Sequence, residues 1–98
     1  MKPALAPGAA PKTVTILGST GSIGRSTVDL IKGHRGAFQV QALTAHKNVE
    51  LLAQQARELG AQLAVIGDEA LYPALKAALA GGGTRAAAGE RAVIEAAA

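Results

Sequence analysis

Between Thr13 and Ile31 the chain reads TVTILGSTGSIGRSTVDLI, with Gly18, Gly21 and Gly24 three residues apart between an apolar run and a helical pattern. That arrangement suits a phosphate cradle. Where a first strand passes into a first helix, backbone N–H groups point outward and the helix dipole is positive. Gly18 would allow the tight turn off the strand, Gly21 the close approach of a phosphate, and Gly24 the packing of helix against sheet. Thr20 and Ser22 add hydroxyl donors, and Ile23 follows them into the helix. The spacing is G-x-x-G-x-x-G rather than the G-x-G-x-x-G of the usual NAD fingerprint. A P-loop does not fit, because five residues separate Gly18 from Gly24 where four are needed, and Arg25 replaces the lysine. The bland alternative is a strand-to-helix turn that binds nothing; position after the first strand of a βαβ series favours the phosphate.

A second set of residues selects the nucleotide. NAD-preferring sites place an Asp or Glu at the end of the second strand, where it binds the ribose hydroxyls. Here that stretch is TAHKNVE, Thr44 to Glu50, with no acid until the next helix has begun. It offers Lys47, Asn48 and His46 instead, above a helix N-terminus, a set that suits a 2′-phosphate. Taken alone, Lys47 reads slightly better as a solvated loop charge and Asn48 as only a cap. With the glycines and the missing acid, NADP(H) is the expected cofactor. Elsewhere the chemistry is thin. His34 reads as a surface or C-cap histidine, and Asp68-Glu69 as a helix start. Asp29, Glu90 and Glu95 are scattered, so no paired carboxylates, nucleophile–base pair or metal-ligand set emerges: no catalytic residue and no metal ligand is expected here.

The elements that must position these groups follow from periodicity. Thr13–Leu17 reads as a short buried strand. Ile23, Thr27, Val28 and Ile31 mark one face of a helix that ends near His34–Gly36, where Gly33 and Gly36 are suitable stops. Phe38–Ala45 is a second strand. Asn48 caps a second helix with Val49, Leu52, Ala53, Ala56 and Leu59 on its buried stripe and Gly60 at its end. Leu63–Gly67 is a third strand. A third helix carries Leu71, Leu75, Ala78 and Leu79, with Pro73 in or just before its first turn. Past Gly81–Gly83 the chain offers a weak strand and a short terminal helix. Strand and helix alternate, which predicts an α/β fold: a Rossmann-like, doubly wound parallel sheet, N-terminal portion only.

Composition sets outer limits. The 98 residues suffice for one domain. With one Phe, one Tyr and no Trp, large anchors must be Leu, Ile and Val, and the core is expected to leave an unfinished face. No cysteine is present, which removes disulfides and thiol catalysis and is compatible with a cytoplasmic protein. The net charge of +3 includes Lys2 and Lys12 of an N-terminal tail, residues 1–12, whose prolines at 3, 7 and 11 rule out a signal-peptide core. No basic block points to nucleic acid, and no apolar run is long enough to span a membrane.

The segments VTILGSTGSIGRSTVDLI, ALTAHKNVELLAQQA and LAVIGDEA together resemble the N-terminus of 1-deoxy-D-xylulose 5-phosphate reductoisomerases, over about Thr13–Glu90. The resemblance implies an enzyme that uses NADPH and Mg²⁺ or Mn²⁺ to isomerise and reduce 1-deoxy-D-xylulose 5-phosphate. The product is 2-C-methyl-D-erythritol 4-phosphate, in the non-mevalonate isoprenoid route. It also implies a soluble, cytoplasmic homodimer inhibited by fosmidomycin-type phosphonates. By position, Thr20, Gly21, Ser22 and Ile23 would cradle NADPH phosphates, and Lys47 and Asn48 would meet the adenosine 2′-phosphate end. His46 stands where many relatives have a small residue. Family members run to roughly four hundred residues, several domains' worth, so residues 13–98 are expected to be the first part of the cofactor domain, inactive alone. Two other readings stay open: the cofactor domain of another NADP-dependent oxidoreductase, and a non-catalytic nucleotide-binding module.

Overall fold

The computed structural model describes residues 12–97; the proline-bearing segment 1–11 lies outside them. Four strands and four helices alternate: β1 Lys12–Ile16, α1 Ser22–Lys32, β2 Phe38–Ala45, α2 Val49–Leu59, β3 Leu63–Ile66, α3 Tyr72–Ala78, β4 Arg85–Ala88 and α4 Glu90–Ala97. Single 3-10 turns at Arg35–Ala37 and Glu69–Leu71 precede β2 and α3. Lys12, expected in the tail, opens β1 opposite Phe38.

All strand pairs are parallel and the sheet order is β1-β2-β3-β4. Crossovers between parallel neighbours are right-handed, so three successive steps in one direction put α1, α2 and α3 on one face. On that face Ile16, Val40, Leu43, Ala45, Ala64 and Ile66 meet Val28, Ile31, Leu52, Ala56, Leu75 and Leu79. Each fully buried leucine there contributes about 1.5–3 kcal/mol; the many alanines contribute less and let the helices sit close. Helix α4 rests over β2, β3 and β4, against Ala42, Leu63 and Ala87 of the opposite face. Both faces of the sheet therefore carry helix, as a doubly wound fold requires.

Local chemistry accounts for the boundaries. Asn48 caps α2, its Oδ1 accepting from the Leu51 amide at 3.2 Å, and Gly60 ends it with a left-handed φ of 63°. Pro73 lies in the first turn of α3, where its missing N–H is harmless. Asp68 accepts from the Ala70 amide at 3.0 Å, as a helix-start residue should. His34 closes the end of α1, its Nδ1 lying 2.9 Å from the Leu30 carbonyl. Lys32 on α1 and Glu58 on α2 form an ion pair of 2.5 Å across the helices.

Two packing expectations are corrected. β1 is only half-buried, with Ile16 its sole buried residue and Leu17 54% exposed. Ile23, placed by its spacing on one helix face with Val28 and Ile31, is 83% exposed, while those two face the core. The reason is shared. β1 pairs with β2 on one side only, and nothing among the described residues covers its other edge. Leu17, Ile23 and Leu30 flank an open cavity of about 750 Å³ there, lined also by Val14, Ile16 and Phe38. This is the unfinished face that the composition anticipates.

Candidate functional site

The segment Leu17–Gly21 leaves the C-terminal end of β1, and His46–Asn48 leaves the C-terminal end of its neighbour β2. Parallel strands lie about 4.8 Å apart, so the two loops share one end of the sheet, where open α/β sheets hold ligands. Thr44 joins them. Its Oγ1 accepts from the Gly18 amide at 3.0 Å and its carbonyl from the Ser19 amide at 2.9 Å.

The three glycines are there for three different reasons. Gly18 has a φ of 65°, a left-handed conformation that a side chain would strain. Gly24 is buried in α1, and a Cβ there would stand 2.7 Å from Ser19 Cα, inside backbone that cannot yield. Gly21 has neither constraint. It is extended at the N-cap of α1, with φ −77° and ψ 171°, and a Cβ would make only an ordinary 3.4 Å contact with the Gly18 oxygen. The fold tolerates a side chain at Gly21; only something approaching from outside would require its absence.

Some of the loop's donors are used within the fold and others are left over. The Ser19 and Gly21 amides are used internally, the latter on the Gly18 carbonyl at 3.0 Å. No backbone partner for the amides of Thr20, Ser22 and Ile23 is found among the described residues, as expected for a helix start. Ser22 is exposed and Thr20 half-buried. Arg25, whose Nε donates to the Thr20 carbonyl at 2.9 Å, holds a guanidinium beside the loop.

At the second loop, His46, Lys47 and Asn48 are all exposed. The His46 carbonyl accepts from the Asp68 amide at 3.0 Å, and its Nδ1 lies 2.9 Å from where a Cβ on Gly67 would be. The imidazole thus rests on the bare backbone of Gly67. Lys47 makes no ion pair among the described residues. The cap uses the Oδ1 of Asn48 and leaves its Nδ2 donors free, so capping and ligand contact are compatible. The structure brings Gly18, Thr20 and Gly21 of the loop together with Ser22, Ile23 and Gly24 of the first turn of α1, and sets His46, Lys47 and Asn48 at the same sheet end. No cluster of three or more His, Asp or Glu able to hold a metal occurs among the described residues.

Thr44 and Gln55 escape the sequence reading. Gln55 lies three residues after Leu52 and four before Leu59, a polar residue inside an apolar stripe; that interruption is the signal. Its Nε2 donates to the Ser19 carbonyl at 2.9 Å, 36 residues away.

A family model of 1-deoxy-D-xylulose 5-phosphate reductoisomerase matches residues 14–98. The chain belongs to this family. The reductoisomerase of Afipia carboxidovorans is 58% identical over 86 residues, 88% of this chain and 21% of that protein. Among solved structures, the reductoisomerase from Zymomonas mobilis in complex with NADPH is 55% identical, with a TM-score of 0.88 over 89% of this chain and 23% of that one. A DOX-P reductoisomerase in complex with NADPH, fosmidomycin and magnesium is 32% identical, with a TM-score of 0.81 over 88% and 21%. The chain therefore spans about a fifth of the length of the reductoisomerases it matches. No helix among the described residues is long and apolar enough to cross a membrane.

Proposed function

We propose that this chain is the N-terminal, NADPH-binding part of a reductoisomerase that converts 1-deoxy-D-xylulose 5-phosphate to 2-C-methyl-D-erythritol 4-phosphate. Gly21 carries the reading: it is a glycine that the fold does not need, at the mouth of a helix N-terminus with unpartnered amides. The amides of Thr20, Ser22 and Ile23 and the hydroxyls of Thr20 and Ser22 hold the cofactor's phosphates. Gly18 and Gly24 shape the loop that presents them. Lys47 and the free Nδ2 of Asn48 bind the adenosine 2′-phosphate, and His46 adds a further donor beside them. NADPH, when bound, supplies the hydride for the reduction. This chain's residues bind and orient it and move no proton themselves.

The remaining parts of the activity belong to the rest of the protein. The metal, Mg²⁺ or Mn²⁺, and the phosphorylated sugar are held by residues outside this chain, which alone is inactive. Residues 13–98 form the first part of the cofactor domain, with Lys12 joining them as the first residue of β1. The turn of α4 onto the second face supports this division: right-handed crossovers on that face run back towards β1. A right-handed crossover from α4 therefore leads back to the free edge of β1, beside Leu17, Ile23 and Leu30. The whole enzyme acts as a cytoplasmic homodimer.

Titration of the chain with NADPH and with NADH tests the cofactor assignment, with NADPH the tighter ligand. Lys47→Glu removes a charged hydrogen bond worth about 1.5–3 kcal/mol and should narrow the affinity ratio by on the order of tenfold or more. An unchanged ratio in that variant rejects the 2′-phosphate contact.

A further inference from the structure

Gln55 is 4% exposed, and Ser19, whose carbonyl it grips, is fully buried. The remaining polar atoms of both side chains, Gln55 Oε1 and Ser19 Oγ, are buried without partners. As a stabilising device the pair is poor. One hydrogen bond is gained while an acceptor and a hydroxyl are orphaned, and a leucine at 55 would simply extend the stripe of Leu52 and Leu59. The geometric consequence is larger. The Ser19–Thr20 peptide is trans, and a trans peptide points its C=O and N–H in opposite directions. Gln55 draws the Ser19 carbonyl towards α2, so the Thr20 N–H is turned away from the core, on the ligand side. The Gly18 and Ser19 amides are pinned to Thr44 and the Thr20 carbonyl to Arg25, leaving the Ser19–Thr20 peptide as the one whose orientation depends on Gln55. Gln55 also lies about two turns along the helix that Asn48 caps. One rigid element therefore joins the glycine loop to the Lys47–Asn48 end.

We infer that Gln55 is a positioning residue of the cofactor site: it orients the Thr20 amide towards the phosphates and sets the glycine loop's distance from the 2′-phosphate end. The inference rests on the NADPH reading above. Its test is Gln55→Met, which keeps the length, loses the donor and removes the orphaned acceptor, measured in the chain by thermal melting and by titration with NADPH and with adenosine 2′-monophosphate. The smaller ligand reaches the Lys47–Asn48 end without needing the loop. The expected result is an equal or higher melting temperature, NADPH affinity reduced on the order of tenfold, adenosine 2′-monophosphate affinity within about twofold of the original, and a displaced Thr20 amide resonance. NADPH affinity unchanged in the folded variant would overturn the inference. So would equal losses for both ligands, or a variant that fails to fold, since either makes Gln55 a stability residue. Absence of NADPH binding by the unsubstituted chain would instead overturn the underlying site reading, and this inference with it.

Discussion

Gly21→Val separates a functional glycine from a structural one. Position 21 is the N-cap of α1, in extended backbone that a β-branched residue adopts readily. A Cβ there meets only the Gly18 oxygen at 3.4 Å. Losing glycine at an N-cap costs roughly 0.5–1 kcal/mol, and restricting the unfolded chain returns about 0.4–1 kcal/mol. Net stability should change by less than about 1 kcal/mol, a melting shift within about 4–8 °C for a domain of this size. Cofactor binding should respond far more. The isopropyl group occupies the space through which a phosphate reaches the Thr20, Ser22 and Ile23 amides. Losing two charge-assisted hydrogen bonds at about 1.5–3 kcal/mol each lowers affinity on the order of a hundredfold or more. Thermal melting followed by fluorescence titration with NADPH and NADH reads both effects, and both cofactors should weaken together because the cradle grips what they share. Undiminished binding in a folded variant would refute the cradle. A melting loss well beyond 8 °C would show that the fold does need this glycine, and the reasoning from Gly21 would fall.

Gly24→Ala should behave in the opposite way. Its Cβ has no room against Ser19 Cα at 2.7 Å, so overpacking of about 1–3 kcal/mol or more should lower the melting temperature before any ligand is added; an unchanged melt would contradict the packing. Thr44→Val removes the acceptor of the Gly18 amide. A buried amide left unpaired costs about 1–3 kcal/mol, read in denaturant titration as a lower midpoint with unchanged slope. Equal midpoints would mean that the Gly18 amide finds another partner.

What the sequence revealed divides by the range of the interaction. The span of β2 follows from its own residues, and the ends of α2 from Asn48 and Gly60, whose capping is a matter of neighbours. The glycine loop was legible for the same reason, since a strand, three spaced glycines and a helix start are contiguous. Thr44 and Gln55 were not legible as loop partners. Their bonds to Gly18 and Ser19 close over 26 and 36 residues and exist only once β2 has docked beside β1. Ile23 and Leu17 show a different limit. Periodicity assigns residues to a face, but whether that face is covered depends on what lies beyond the β1 edge. β4, Arg-Ala-Ala-Ala, has almost no strand propensity of its own; its register with Leu63–Ile66 makes it a strand.

The most direct test of NADPH binding at these two loops is a ¹H–¹⁵N correlation spectrum of the chain titrated with NADPH and then with NADH. Dispersed resonances should be seen, with the Thr20, Gly21, Ser22 and Ile23 amides shifting for both cofactors and the Lys47 and Asn48 amides shifting more for NADPH. A dispersed spectrum in which those amides stay still would contradict the assignment and make the glycines a turn between a strand and a helix.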